Sequence, residues 1–232
     1  MFPLPFCAML WVGVITMNFD TVLFDLDGTL LNTLDDLWAS GCAMMEHMGL
    51  PPLTREQVRQ YVGNGMANYV ALALPGGRDY PRYDEALAFI RAYYDSHCLG
   101  STAPYPGTVE LLRTLKEQGV ATGVVSNKPH SAVVPLVEHF FPGLPACAIG
   151  QQEGLRRKPA PDMVNAALEQ LGRGKERTLY VGDSEVDVKT AQNAGLPCLC
   201  VGWGFRDRQQ QEEAGALHFA DTAEEVLEFI LG

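Results

Sequence analysis

A rhythm that begins near residue 104 constrains this chain more than any other feature. Short apolar runs, Val120–Val125, Cys147–Ile149, Thr178–Val181 and Cys198–Val201, alternate with stretches of helical spacing. The helical stretches fall at 109–118, 129–140, 161–171 and 185–194, with a last one at 222–231. Three of them stop at a glycine: Gly119, Gly172 and Gly195. Continuous apolar strands separated by helices imply a parallel sheet covered on both faces. One more run of this kind, Thr21–Phe24, stands far upstream. Between it and the rest, no strand signal occurs from 33 to 103. Leu34–Met48, a segment opening at Thr54, Met66–Leu74 and Asp84–Cys98 all read as helices there. Thr54 with Gln57 three residues on has the form of a capping box. The expectation is an α/β fold. A doubly wound, Rossmann-like parallel sheet is built from 17–32 and 104–232, and an inserted α-helical cap from 33–103. Thr33 and Pro104–Gly107 are the expected hinges.

Composition narrows the function. Hydrophobic residues make up 47% of the chain and charged residues 19%, which suits a folded core rather than disorder. Against 28 acidic residues stand 17 Lys and Arg, a net charge of −11, so a general nucleic-acid binder is disfavoured. A small anionic substrate is not, because local positive groups can dominate in a cleft. The six cysteines form no CxxC pair and no zinc spacing with histidine, which points to reduced structural thiols and a cytoplasmic setting. The apolar stretch 1–16 is too short to span a membrane and lacks the marks of a signal peptide. A start at Met17 is expected, with 1–16 an upstream extension; a packed N-terminal arm is the alternative.

In open α/β sheets, ligands bind beyond the carboxyl ends of the strands. Here those ends carry Asp25 and Asp27, then Ser126 and Asn127, then Asp183, Ser184 and Asp187. Asp25 and Asp27, two apart on an extended segment, project to one side. One carboxylate of such a pair can attack a phosphoryl group, while the other protonates the leaving oxygen and later deprotonates water. The alternative for these two is a turn with capping aspartates. Asp183 beside Asp25 would make a hard-oxygen site suited to Mg²⁺, with Asp187 a ligand or a support behind the ligands. Taken singly, Asp183 and Asp187 also suit a helix start. Ser126 can hydrogen-bond a phosphoryl oxygen, and Lys158 can offset the charge of transfer. Arg156 and Arg157 beside Lys158 read as exposed.

FDLDGTL, VVSNKP, KPAPD and GDSEVD, in this order, strongly resemble the four motifs of the haloacid dehalogenase superfamily. The resemblance covers essentially all of 17–232. Having Asp27 resembles the superfamily's phosphatases and mutases rather than its dehalogenases. The resemblance implies that Asp25 is the nucleophile and Asp27 the general acid/base. It implies a Mg²⁺ site built from Asp25, the Asp27 carbonyl and Asp183, supported by Asp187. Ser126, Asn127 and Lys158 would hold the transferring group. The cap segment Gln57–Gly65, the Tyr93-Tyr94 pair, Tyr105-Pro106-Gly107 and Ser126–Pro129 are similar to those of phosphoglycolate phosphatases. Gly63, Asn64 and Gly65 would then meet a small anion, or serve only as a corner between helices. Lys128 would reach a substrate carboxylate or point to solvent.

The resulting expectation is a Mg²⁺-dependent phosphatase acting on a small phosphorylated metabolite, foremost 2-phosphoglycolate, through an aspartyl-phosphate. It would act as a monomer or homodimer, without nucleic acid or membrane. The alternatives are a phosphoglucomutase-like transferase, a phosphatase for another sugar phosphate or pyrophosphate, and a non-catalytic phosphate-ligand binder. Phosphonoacetaldehyde hydrolysis is disfavoured, since that family's cap supplies a Schiff-base lysine and 33–103 contains none.

Overall fold

Thr21–Phe24 forms strand β1, and all four of its residues are buried, as a strand with helices on both faces requires. The structure is a computed structural model that describes residues 18–232. The expected extension 1–16 and the start at Met17 lie outside the described residues. After β1 the chain runs through β2 (Leu31–Asn32) and helices α1 (Leu34–His47), α2 (Arg55–Tyr61), α3 (Met66–Ala73) and α4 (Tyr83–His97). It returns through β3 (Ala103–Pro104), then α5 (Thr108–Glu117), β4 (Ala121–Pro129), α6 (His130–Phe140) and β5 (Cys147–Gln151). The remainder is α7 (Asp162–Leu171), β6 (Thr178–Gly182), α8 (Glu185–Ala194), β7 (Cys198–Val201), α9 (Arg208–Glu213), β8 (His218–Ala220) and α10 (Ala223–Leu231).

The sheet is parallel throughout, in the order β5-β4-β1-β6-β7-β8. Side chains alternate across it. Val22 and Phe24 join a cluster with Leu112, Val133 and Val226, while Leu23 joins another with Met163, Ala167 and Ala191. The chain builds outward from β1 to β4 and β5, then returns to the other side of β1 for β6 to β8. The strand order therefore reverses at β1, and the crevice at its carboxyl end is where a ligand enters such a sheet.

The four helices between β2 and β3 bury a cluster of their own around Met44, Tyr69, Val70, Ile90 and Tyr94. Phe205, from the loop after β7, also belongs to it and ties that cluster to the sheet. The Thr54–Gln57 capping box is present at the start of α2. At the crossing back to the sheet, β2 and β3 pair antiparallel, Leu31 opposite Pro104 and Asn32 opposite Ala103. Asp36 of α1 fastens this return: its carboxylate accepts from the backbone N–H of Ser101 (2.8 Å) and Thr102 (2.9 Å) and from the Thr102 hydroxyl (2.7 Å).

Several elements differ from the sequence reading. Strand β3 begins at Ala103, inside the stretch expected to hold no strand, and β8 was not foreseen. Strand β4 runs on to Pro129 rather than stopping at Val125, so Ser126, Asn127 and Lys128 lie on the sheet and α6 opens at His130. The run 209–213 belongs to α9 and is more than a solvated face. Gln211 is buried there, and its amide donates to the carbonyls of Asp183 (2.8 Å) and Val201 (3.0 Å).

Candidate active site

The site starts where β1 ends. Leu26 is fully buried, while Asp25 and Asp27 on either side of it line one cavity, as residues two apart on an extended chain should. Gly28 then turns the chain with φ of 92°, and a Cβ there would overlap the Asp183 carboxylate. Glycine is needed at this position both for its backbone angle and for that close approach.

Lys158 is buried, and its ammonium has three donors, all engaged. They reach Asp25 Oδ1 at 2.7 Å, Asp187 Oδ1 at 2.8 Å and the Tyr180 hydroxyl at 3.1 Å. Burial works against its charge, but Asp187 and Asp25 hold its pKa well above the usual lysine value. The other Asp187 oxygen accepts from the Ser184 hydroxyl (2.6 Å) and from the N–H groups of Ser184 (3.1 Å) and Asp183 (3.2 Å). Both oxygens of Asp187 are thus engaged within the protein, and it orients Lys158 and the β6–α8 turn.

Asp183 is buried with neutral donors alone: Phe205 N–H at 2.6 Å and, at 3.5 Å, the Thr29 hydroxyl. Burial, then the charges of Asp187 and Asp25, push its pKa well above the carboxylate range. Burial likewise raises Asp25 to about 7, with Lys158 pulling the other way. One oxygen from each of Asp25, Asp183 and Asp187 lies within 4.8 Å of the others. Three buried carboxylates facing one ammonium form a hard, net-negative oxygen cluster that could hold a metal ion, and a divalent cation would relieve the strain on Asp25 and Asp183.

The cavity, ≈ 60 Å³, is lined by Asp25, Asp27, Ser126, Asn127 and Lys128 on the sheet side and by Gly63 and Gly65 among others from the helices. At roughly 10–15 Å³ for each water it has room for about four to six, the scale of a small ligand. Lys158, Asp183 and Asp187 are buried and do not line it, and the half-exposed Asn64 does not line it either. Lys128 does not point to solvent: it is buried, its ammonium 2.9 Å from Asp27 Oδ1, and the Thr33 hydroxyl donates to the same oxygen at 2.7 Å. Asn127 donates both amide protons to carbonyls, Gly63 at 3.1 Å and Lys158 at 3.2 Å, leaving its buried Oδ1 without a partner. Its side chain therefore joins the helical segment to the sheet and keeps no donor for a ligand. The Ser126 hydroxyl accepts from Lys128 N–H at 3.2 Å, so its own proton stays available.

The haloacid dehalogenase-like hydrolase family model matches residues 22–201. The chain belongs to that family. It is 38% identical over 195 residues to a phosphoglycolate phosphatase of Pseudomonas putida, covering 79% of this chain and 70% of that one. It is also 38% identical over 204 residues to phosphoglycolate phosphatase 1 of Pseudomonas aeruginosa, covering 84% and 74%. A solved structure from Lactobacillus delbrueckii subsp. bulgaricus, a provisionally assigned phosphoglycolate phosphatase, superposes with a TM-score of 0.89 at 35% identity. That match covers 93% of this chain and 100% of the other. This haloacid dehalogenase-like hydrolase is a phosphoric monoester hydrolase resembling the phosphoglycolate phosphatases. Among its described residues no helix is long and apolar enough to cross a membrane.

Two arginines of this hydrolase escaped the sequence reading. Arg206 is buried; it pairs with Glu185 at 3.0 Å and donates to the carbonyls of Arg59 (2.6 Å) and Val62 (2.8 Å). Arg59 answers from α2 by donating to the Phe205 carbonyl at 2.7 Å. Arg157, expected to be exposed, donates to the Asn64 carbonyl at 3.1 Å, whereas Arg156 is exposed and pairs with Asp162. The segment 59–64 is thus held through its carbonyls by Asn127, Arg157 and Arg206. No residue pattern announces a bond to a backbone carbonyl, so only the fold reveals this clamp.

Proposed function

We propose that this hydrolase removes phosphate from 2-phosphoglycolate through an aspartyl-phosphate on Asp25. The observation that carries the reading is Asp25 itself: a buried carboxylate at the cavity wall, ion-paired with Lys158 at 2.7 Å and clustered with Asp183. An Asp25 oxygen attacks phosphorus, the P–O bond to glycolate breaks, and Asp27 delivers a proton to the leaving oxygen. Asp27 then takes a proton from water as that water attacks the acyl-phosphate, releasing phosphate and restoring Asp25. Lys158 fixes Asp25 and Asp187 in place and offsets the negative charge of the cluster. Ser126 donates to a phosphoryl oxygen, and the 33–103 helices cover the cavity so that water enters in a controlled way. Mg²⁺, held by Asp25, Asp183 and the Asp27 carbonyl with Asp187 behind them, would keep Asp25 ionised and offset the charge on the transferring group. Lys128, taken up by Asp27, acts on that carboxylate more directly than on a substrate. The free thiols of Cys42, Cys98, Cys147, Cys198 and Cys200 support a reducing, cytoplasmic setting.

The test is phosphate release from a panel of 2-phosphoglycolate, sugar phosphates, nucleotides and pyrophosphate, with Mg²⁺ and with chelator. The expected result is a Mg²⁺-dependent kcat/KM highest for 2-phosphoglycolate and abolished in Asp25→Asn. Faster turnover of another ester would overturn the substrate, and appreciable activity in Asp25→Asn would overturn the nucleophile.

A further inference from the structure

Of the charged groups lining the cavity, Lys128 is ion-paired with Asp27, and the buried Lys158 behind it with Asp25 and Asp187. Arg91 of α4 also lines the cavity and is exposed, and among the described residues it has no acidic group within ion-pair distance. One turn on, Tyr94 lines the same cavity on the same helix face. Tyr94 is buried, 2% exposed, yet its hydroxyl has no hydrogen-bond partner. The Lys128 ammonium lies over the face of its ring, 4.6 Å from the centroid, close enough for its charge to act on the hydroxyl but not in hydrogen-bond geometry with it. Buried hydroxyls are normally paired, because an unpaired one forfeits its hydration without return. A free guanidinium and an unpaired phenol three residues apart are complementary to a carboxylate, which accepts from both. Asp95 lines the same wall and would repel an anion, which leaves Arg91 as the group that makes this side attractive to one.

We infer that Arg91 and Tyr94 form the subsite that holds the non-transferred, anionic end of the substrate, away from the phosphoryl group. This rests on the proposed function, in which the ester carries a carboxylate as well as a phosphate. Neither residue touches the reacting atoms; they set specificity. Arg91, on the surface of α4, can be changed without disturbing the core.

The experiment compares 2-phosphoglycolate with 2-hydroxyethyl phosphate, the ester of similar size whose carboxylate is replaced by a neutral alcohol. Both are measured with wild type, Arg91→Gln, Arg91→Lys and Tyr94→Phe. Losing a charge-assisted contact should lower kcat/KM for 2-phosphoglycolate by about ten- to hundredfold in Arg91→Gln, mainly through KM. Arg91→Lys should recover part of that loss. Tyr94→Phe should cost about three- to tenfold on 2-phosphoglycolate. On 2-hydroxyethyl phosphate all three variants should stay within about twofold of wild type. Equal losses on both esters, or none on either, would overturn the subsite while leaving wild-type preference for 2-phosphoglycolate intact. A wild type that does not prefer 2-phosphoglycolate over 2-hydroxyethyl phosphate would overturn the proposed substrate itself, and the subsite with it.

Discussion

The cluster around Asp25 should make the metal-free protein lose stability as pH rises through the neutral range. Burial raises the Asp25 pKa from 3.8 to about 7. In the unfolded chain the same carboxyl gives up its proton near its ordinary value. Between the two values the folded state binds more protons than the unfolded state, so stability falls with increasing pH, and the loss is complete only above about pH 7. The interval from 3.8 to about 7 amounts to roughly 4 kcal/mol at ~1.4 kcal/mol per pH unit. Between about pH 5 and pH 7.5 the share still to be lost is on the order of 2–3 kcal/mol. Asp183, raised by the same causes, adds in the same direction. Lys158 is held above its ordinary value and so stays protonated in both states throughout this window. Glu56 and Glu85 have the opposite sign. Each is lowered from 4.5 to about 2 by arginine, so their contribution is present above 4.5 and fades only in acid.

The assay is urea unfolding at about pH 5 and pH 7.5 in chelator, on wild type and Asp25→Asn. Subtracting one from the other cancels the titrations that do not depend on Asp25 and leaves those of Asp25 and of Asp183, which its charge raises. Wild type should lose about 2–3 kcal/mol more than Asp25→Asn over this range. Adding Mg²⁺ should flatten the wild-type dependence, since a cation on ionised carboxylates stabilises the folded state by ~2.7 kcal/mol at a hundred times its Kd. Identical pH slopes in the two proteins would refute the reasoning, as would an Asp25→Asn variant less stable than wild type at the higher pH.

Asp183→Asn should raise the Mg²⁺ concentration for half-maximal activity at least about tenfold; an unchanged metal titration would remove Asp183 from the ligand set. Arg206→Met removes charge-assisted bonds to the Arg59 and Val62 carbonyls, worth about 2–4 kcal/mol together after rehydration on opening. Amide exchange over 59–66 should then speed up by roughly 30- to 1,000-fold, with the sheet still protected. Uniform acceleration across the chain would mean that Arg206 supports the whole fold rather than this contact.

Strands β1, β6 and β7 were legible because a parallel strand covered on both faces must be apolar along its length, and Thr21–Phe24, Thr178–Gly182 and Cys198–Val201 nearly are. The polar residues immediately beyond them could be placed for the same reason. Strand β8 was missed because His218-Phe219-Ala220 is three residues at the sheet edge, too few for a period. Strands β2 and β3 are two residues each and carry no pattern at all. Strand β4 was cut short because its register shifts between Val125 and Pro129, where the side chains turn polar and the ladder to β5 is irregular before it resumes at Pro129. Its polar tail is what brings Ser126, Asn127 and Lys128 to the cavity.

The ion pairs in the proposed site also bear on the order of binding. Sequence motifs suggested two lysines available to anions, yet Lys128 sits on Asp27 and Lys158 on Asp25 and Asp187. Asp183 has no cationic partner within ion-pair distance among the described residues. Once Asp25 and Asp183 ionise, the carboxylates outnumber the ammoniums, and a phosphate ester approaching them meets repulsion that the lysines alone do not cancel. A divalent cation on the carboxylates cancels that excess. Whatever affinity the cation adds for the ester, the ester must add for the cation, since the two share one coupling free energy. In the proposed mechanism the acidic cluster would make phosphate binding conditional on the metal, while Lys158, paired with Asp25 and Asp187, offsets the repulsion between those carboxylates before either ligand arrives.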